Sequence, residues 1–369
     1  YPASFRAESL ITVLKGAAAR RGTDLLCHCA LEDFPREAED GLLQLKVRFE
    51  GEPALLRSRR VLLASGAKAQ RALGSDASVL GILEKEGLRI EELYPALDAL
   101  ILARYPKRLR GCRLPAAAAV YDPSEKRIAA ADAGEIIFNK RGVSGIPVMQ
   151  MSASAYHLLH KSSKALQRKS RFAAPLSAAA ADCLGGRRSP AASFAAPAAE
   201  EAVQRALKIF GYKEERAVPA WLLLDFLPQI QTKERRAFWR AQQERLGNAG
   251  DLLARALLPS RLADYLNQIL KQAGRYNNPE ALAELVNGFA FPLADTAGFE
   301  QAQVCGGGLS FSELLPGRLN LKRQPKVYAS GEILDIYGDC GGYNLLWAWA
   351  SGREAAAQIK TSLEEDYAF

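Results

Sequence analysis

Between Gly331 and Ile359 the chain reads GEILDIYGDCGGYNLLWAWASGREAAAQI, placing two acids, a double glycine and the start of a patterned helix in one short stretch. A short apolar strand is predicted just before it, over Lys326 to Ser330. Gly341 and Gly342 let the backbone come close to a ligand where any Cβ would collide. The spacing of Leu345, Ala348, Trp349, Ala356 and Ile359 predicts a helix that begins near Asn344. Its first N–H groups lack intrahelical acceptors and its dipole is positive at that end, which favours an anion or an electron-rich ring edge. A glycine turn that only caps a buried helix would use the same residue types, so the segment by itself leaves both readings open.

The remaining pattern is that of a mixed α/β chain. Leu10, Ile11, Val13, Leu14, Ala17 and Ala18 predict a helix over Glu8 to Arg21, stopped by Gly22. Asp24 to Leu31 (DLLCHCAL) reads as a buried strand, Leu43 to Phe49 alternates as a half-buried one, and Arg60 to Ala64 is a short apolar strand. Ala77 to Glu86 is a second helix, ended by Gly87. Helix, strand, hairpin and strand make up half of a dinucleotide-binding domain. From Tyr94 onward Pro95, Pro106, Pro115 and Pro123 mark short strands and turns, so a domain boundary is placed there. Trp221 to Leu227 (WLLLDFL) is a predicted strand, and Thr232 to Asn287 is predicted helical. Phe172 to Ala199, rich in Ala, Ser and Pro, is low in complexity, and Ser170 to Ala199 is expected to be mobile.

The C-terminal run resembles the signature of the BaiN-like, aminoacetone-oxidase-like family of bacterial NAD(P)/FAD-dependent flavoprotein oxidoreductases, GE-x-LD-x-x-G-x-x-GGYN-L-x-W-A. Four further blocks resemble the same family in the same order. They are YPASFRAESL at Tyr1 to Leu10, VLLASGAKA at Val61 to Ala69, GEIIFNKRGVSGIPVMQMS at Gly134 to Ser152, and QAQVCGGGLSFSEL at Gln301 to Leu314. The resemblance implies an α/β chain, α+β overall, with a discontinuous Rossmann-like FAD-binding domain and an inserted β-rich and helical domain. Its parts would be 1–93 (FAD domain, first part), 94–299 (insert, with a linker at about 161–216) and 300–369 (FAD domain, second part). Such proteins open with a strand, a G-x-G-x-x-G turn and a helix that bind the FAD pyrophosphate, roughly the first hundred residues preceding the YP-x-S block. This chain starts at that block, so the expectation is an N-terminally truncated protein whose FAD domain lacks its first βαβ unit and that cannot by itself hold FAD stably.

The family pattern also implies roles by position. Leu31 matches the residue whose backbone meets the adenine, although a core leucine would serve as well. Ala64, Ser65 and Gly66 match the A-T-G at which the chain returns to the cofactor, with Ser for Thr. Ala67 and Ala69 depart from the glycine and serine expected next. Glu332, after Gly331, matches the acid that hydrogen-bonds the ribityl chain, and Asp335 is the second acid of the pattern. Gly341, Gly342, Tyr343 and Asn344, followed by Leu345, would set backbone donors at the pyrimidine side of the flavin. Ser144 and Gly145 of the GVSG block fall on the implied substrate side, with a structural glycine turn as the other reading. No catalytic residue is assigned.

The implied activity is an FAD-dependent oxidoreduction of a small organic molecule with NAD(P)H as electron donor. An amine-type oxidase that uses oxygen is the alternative, and a cofactor-free fragment or basic binding protein is the alternative outside enzymes. Six scattered cysteines argue against a disulfide framework and for a reducing cytoplasm. Cys27-His28-Cys29 has no second pair at zinc spacing, so no metal is expected. His157 and His160 have no acid nearby in sequence and read as solvated or capping residues. No apolar run reaches the ~18 residues of a membrane span. The net charge of +8 raises nucleic acid as a partner, but the cations between Lys161 and Arg188 come with one aromatic, Phe172, so that stretch reads as a solvated linker and no nucleic acid is expected. The oligomeric state is left open.

Overall fold

The computed structural model describes residues 3–160, 194, 196–230, 234–246, 250–276 and 278–366. Most of the stretch expected to be mobile, up to 193, lies outside the described residues.

The first elements are α1 (Ala7–Arg20), β1 (Cys29–Leu31), β2 (Arg36–Glu37), β3 (Leu43–Phe49), β4 (Glu52–Ser58), β5 (Val61–Leu63), α2 (Ser78–Lys85) and β6 (Ile90–Ala96). β3 pairs antiparallel with β4 on one edge and with β1 and β2 in succession on the other. Two expectations need correction. Only Cys29–Leu31 of the predicted strand from Asp24 is a strand. His28 is in the left-handed region at φ 54°, so the chain turns there, and Leu25 and Leu26 are exposed. The helix α1 forms where its apolar spacing and Gly22 (φ 67°) place it, yet none of its residues is buried.

Next come β7 (Leu100–Leu102), β8 (Arg113–Asp122), β9 (Arg127–Phe138), β10 (Gly142–Ser144), α3 (Ile146–Gln150), α4 (Ser152–Leu159), α5 (Ala196–Phe210), β11 (Trp221–Asp225), α6 (Arg235–Leu246), α7 (Gly250–Leu257), α8 (Ser260–Gln272), α9 (Pro279–Val286) and β12 (Phe289–Thr296). Six strands close a barrel in the order β10-β7-β12-β11-β8-β9. The alanine run of β8 is buried on both faces because its neighbours are large. Ala116, Ala118 and Val120 join the core shared with Leu222, Phe291 and the helices α6–α9, while Ala117, Ala119 and Tyr121 lie under α5. The linker assigned to about 161–216 is therefore in part a packed helix. Ala199, Ala202, Val203, Ala206 and Leu207 of α5 carry a helical apolar stripe that the alanine-rich composition hides.

The GVSG block makes β10 and the turn into α3. A Cβ on Gly142 would run into the Leu100 carbonyl of β7, and one on Gly145 (φ 108°) into the Glu135 carbonyl of β9. Both glycines are thus required by barrel packing.

Finally, β13 (Val304–Leu309) pairs antiparallel with β6, β14 (Val327–Ala329) pairs parallel with β5, and α10 (Tyr343–Glu365) ends the described chain. These elements enclose a second core with Leu63, Leu80, Leu83, Val327, Ala329 and Ile333. On α10 the buried side chains are Ser351 and Ala355, whereas Leu345, Leu346 and Trp349 are 63%, 63% and 54% exposed. The periodicity located the helix but does not tell which face turns inward.

Candidate functional site

The parallel pair β5–β14 fixes where a site can form. Its register sets Leu63 beside Ala329, and both chains then leave the sheet at its carboxyl edge, the edge at which open α/β sheets bind ligands. Ser330 N donates to Leu63 O at 3.0 Å, carrying the pairing one step further. From β5 emerges the loop with exposed Ala64 and Ser65 and half-buried Gly66 (φ 71°). Lys68 N donates to the buried Cys305 Sγ at 3.2 Å, tying this loop to β13. Burial pushes the Cys305 thiol up to about 11, so it stays protonated.

From β14 emerges the acidic segment. Gly331 (φ 74°) is clasped by α10, its N–H donating to Ser351 Oγ at 2.9 Å and its carbonyl accepting from Trp347 Nε1 at 3.1 Å. Glu332 Oε1 accepts the N–H of Cys305 at 2.5 Å, and Asp335 Oδ1 accepts the N–H of Gly307 at 3.1 Å. Burial raises the Glu332 carboxyl, with the Cys305 N–H opposing the shift. The two acids anchor the segment onto the bulge of β13. There a Cβ on Gly307 would collide with the Glu92 carbonyl, and one on Gly308 (φ 124°) would lie 2.7 Å from the Ile333 carbonyl. The triple glycine is a close-packing device in which three backbones meet.

The glycine turn is closed by Asn344. Gly338 N donates to Asn344 Oδ1 and Asn344 Nδ2 donates to Gly338 O, both at 2.8 Å. This bidentate clasp fixes residues 338–344 and sets Gly341 (φ 120°) and Gly342 (φ 98°) at the N-terminus of α10. Nothing lies within 4 Å of a Cβ built on Gly342, and Tyr343 and Leu345 are exposed. The result is an open cradle of glycine backbone, a helix N-terminus and apolar side chains, which fits a flat ring with an electron-rich edge such as a flavin. Leu31 lies elsewhere, on β1, half-buried against the core and paired with Val47. Ser144 is half-buried at the barrel end of β10.

Several groups beside the cradle carried no signal in the sequence. Tyr94 of β6 and Tyr337 share a hydrogen bond, their rings edge to face at 6.2 Å, and burial raises both hydroxyls, Tyr94 far above the ordinary range. Asp339 is raised by burial and then by Asp132 of β9, whose carboxylate accepts from Gln150 Nε2. The same two acids follow burial in raising the Cys340 thiol. Tyr337, Asp339 and Cys340 stand at variable positions of the C-terminal pattern, so only the fold could bring them to Tyr94 and Asp132. His157 and His160 also need correction. His157 is half-buried with its ring edge to face with Tyr94 at 4.4 Å, and His160 Nε2 lies 2.9 Å from Asp295 Oδ1.

Comparison with known proteins gives the family. Residues 1–358 match the model of the HI0933-like protein Rossmann domain. The 3-dehydro-bile acid Δ(4,6)-reductase of Clostridium scindens is 25% identical over 363 residues, 95% of this chain and 73% of that protein. The ribosomal RNA dihydrouridine synthase of Escherichia coli is 31% identical over 109 residues, 28% of this chain and 27% of that protein. Its Haemophilus influenzae counterpart is 31% identical over 78 residues, covering 21% and 20%. Among the described residues no helix is long and apolar enough to cross a membrane. With the parallel strand pair, the glycine cradle and a family match over nearly the whole length, the chain belongs to the HI0933-like Rossmann-domain family and is a flavoprotein oxidoreductase of the FAD-dependent kind.

Proposed function

We propose that this oxidoreductase is a reductase that adds hydrogen across a carbon–carbon double bond conjugated to a carbonyl, with NAD(P)H as the electron source. The observation that carries the reading is the cluster beside the cradle, in which Tyr337 is hydrogen-bonded to Tyr94 and is followed in the chain by Asp339 and Cys340. Tyr337, Asp339 and Cys340 each hold a proton more tightly than in water, because burial disfavours their charged forms. Saturation of such a bond needs a hydride at the β-carbon and a proton at the α-carbon. FAD, when bound, supplies the hydride chemistry. The chain supplies the rest. Gly341 and Gly342 give backbone access to the ring, and the α10 N-terminus favours the negative charge that builds on its pyrimidine side. The loop from Tyr337 to Cys340 presents the proton. The names of two relatives, a Δ(4,6)-reductase and a dihydrouridine synthase, both denote addition of hydrogen to a ring double bond, which supports the reading.

The test is anaerobic stopped-flow spectroscopy of the purified chain titrated with FAD. NADPH should bleach the visible flavin band, and 2-cyclohexenone or free uridine should restore it without oxygen. If an amine bleaches the band, NADPH does not, and only oxygen restores it, the protein is an oxidase and the reading fails.

A further inference from the structure

Two tyrosines meet where β6, β13 and the segment leading to the glycine turn come together. The Tyr94 ring takes the room that a Cβ on Gly306 would need, and its centroid lies 4.4 Å from that of His157 and 6.3 Å from that of Tyr156, both on α4. Contacts on two sides fix the orientation of this ring, and its hydroxyl is hydrogen-bonded to Tyr337. Tyr337 is held from its other end. The next residue, Gly338, makes both hydrogen bonds of the Asn344 clasp, so the Tyr337 backbone is fixed relative to Gly341, Gly342 and the N-terminus of α10. A pair of hydroxyls is thus set rigidly beside the cradle by elements far apart in the chain.

We propose that the Tyr337 hydroxyl is the group that protonates the α-carbon of the substrate, and that Tyr94 is the positioning residue that aims it and holds the phenolate it leaves. The proposal rests on the reductase reading above and assigns its proton to one group. A proton donor is left negative, so the donor is the one whose anion the surroundings accept best. After burial, the largest influence on Tyr337 is the hydrogen bond from Tyr94, which favours the anion, while Asp339 and Asp335 oppose it less. Tyr94 serves only as the donor of that bond, because burial, Tyr337 and Asp335 all keep its own proton in place. The neighbouring charges work against the other two groups. Asp132 disfavours the Asp339 anion, and Asp339 and Asp132 together disfavour the Cys340 thiolate. In the step itself the β-carbon receives the hydride with its electron pair, and the π electrons shift onto the α-carbon and the carbonyl oxygen. The α-carbon then takes the Tyr337 proton. The O–H electron pair stays on the phenolate oxygen, to which Tyr94 donates, and water returns the proton. The substrate has gained two electrons, which come from NAD(P)H by way of the flavin, and two hydrogens.

Two measurements test this. In the chain without flavin, 3,5-difluorotyrosine in place of Tyr337 reports the ionisation of that hydroxyl by fluorine NMR. Tyr94→Phe should raise its midpoint by about one pH unit, because the donor to the phenolate is lost while Asp335 and Asp339 remain. An unmoved or lowered midpoint would overturn the role of Tyr94. The second measurement uses FAD-loaded protein that also carries the pyrophosphate-binding strand, glycine turn and helix of this family, reduced with NADPH under anaerobic stopped flow. Reduction of 2-cyclohexenone needs the proton, whereas 1-nitrocyclohexene takes up hydride to give a stable nitronate without one. Tyr337→Phe should slow the enone by about 100-fold or more and the nitroalkene by less than about tenfold, with nitronate accumulating. Tyr94→Phe should shift the ratio of the two rates in the same direction and by less. Tyr105→Phe, which removes a hydroxyl that donates to Asn139 O in the barrel, should leave the ratio as in the parent. An equal loss on both substrates in Tyr337→Phe would show a structural role, and an undiminished enone rate would pass the proton to Asp339 or Cys340. Either result overturns the assignment. If the parent reduces neither compound, the reductase reading falls and takes the catalytic role of Tyr337 with it, and the fluorine titration still decides whether Tyr94 supports the Tyr337 phenolate.

Discussion

The ring of Tyr94 fills the space that a side chain on Gly306 would need. Gly306 has no left-handed backbone, so Ala there is unfavourable for steric reasons alone. Gly306→Ala should cost about 1–3 kcal/mol of stability, the usual range for overpacking a close contact. In a Tyr94→Ala background the added cost should drop below about 0.5 kcal/mol, because the colliding ring is gone. Urea unfolding of the four proteins measures this, and an undiminished cost in that background would mean the strain lies elsewhere.

Asp98 gives a pH signature at the junction of β6 and β7. Its carboxylate accepts the N–H groups of Ala99 at 2.7 Å and Gly298 at 2.5 Å, and burial outweighs these bonds to push its pKa up to about 6. The native state therefore holds a proton that the unfolded chain, near 3.8, releases earlier. The stabilisation is complete below about 4 and is lost as pH rises through about 6. Asp98→Asn removes this dependence. The stability difference between parent and variant, from urea midpoints at several pH values, should change as pH rises from 4 through about 6 and level off above that.

How much of this was legible in the sequence depends on the range of the signal. Local period and punctuation placed α2 and its stop at Gly87, the strand β3 and the start of α10, because those features act within a few residues. Direction was not legible. The spacing of Leu345, Ala348 and Trp349 names a helix face, but Ser351 and Ala355 face the core because Gly331 is clasped by Trp347 and Ser351. Likewise Glu332 and Asp335 were conspicuous as acids, while their hydrogen bonds to β13, 27 and 28 positions away, became visible only in the fold. The partners of the Tyr337–Cys340 loop, Tyr94 and Asp132, are farther still.

Gly342 is a conformational requirement before it is a steric one. Its φ of 98° strains any L side chain, whereas its Cβ direction is open. Gly342→Val, made in a protein that also carries the pyrophosphate-binding strand, glycine turn and helix of this family, should therefore fold, at a cost on the order of 1–3 kcal/mol, and should lose FAD because the new side chain would occupy the open space that the flavin reading gives to the ring. Thermal unfolding and the visible flavin spectrum separate the two effects. Full flavin occupancy in a folded Gly342→Val protein would remove the turn from the cofactor site.

The last prediction concerns the core beneath α6, where Asp225 is fully buried and paired with Arg235 Nη2. Asp225 also accepts the Leu227 N–H at 3.0 Å, and Arg235 Nε donates to Ile230 O at 3.1 Å, so the pair links β11 to the chain that enters α6. Burial raises the Asp225 carboxyl and the Arg235 charge opposes it. Arg235→Met leaves the acid without its counter-charge, which should cost about 3–5 kcal/mol near neutral pH. The sign of its pH dependence follows from the same balance. With Arg235 gone the folded carboxyl rises further above its unfolded value, so the variant binds an extra proton when folded and loses stability as pH increases. The deficit against the parent should be smaller at pH 5 than at pH 8, and Arg235→Met/Asp225→Asn should recover part of the loss at pH 8 while being nearly flat with pH. A deficit that is equal at both pH values would show that Arg235 acts through its packing rather than by compensating a buried charge.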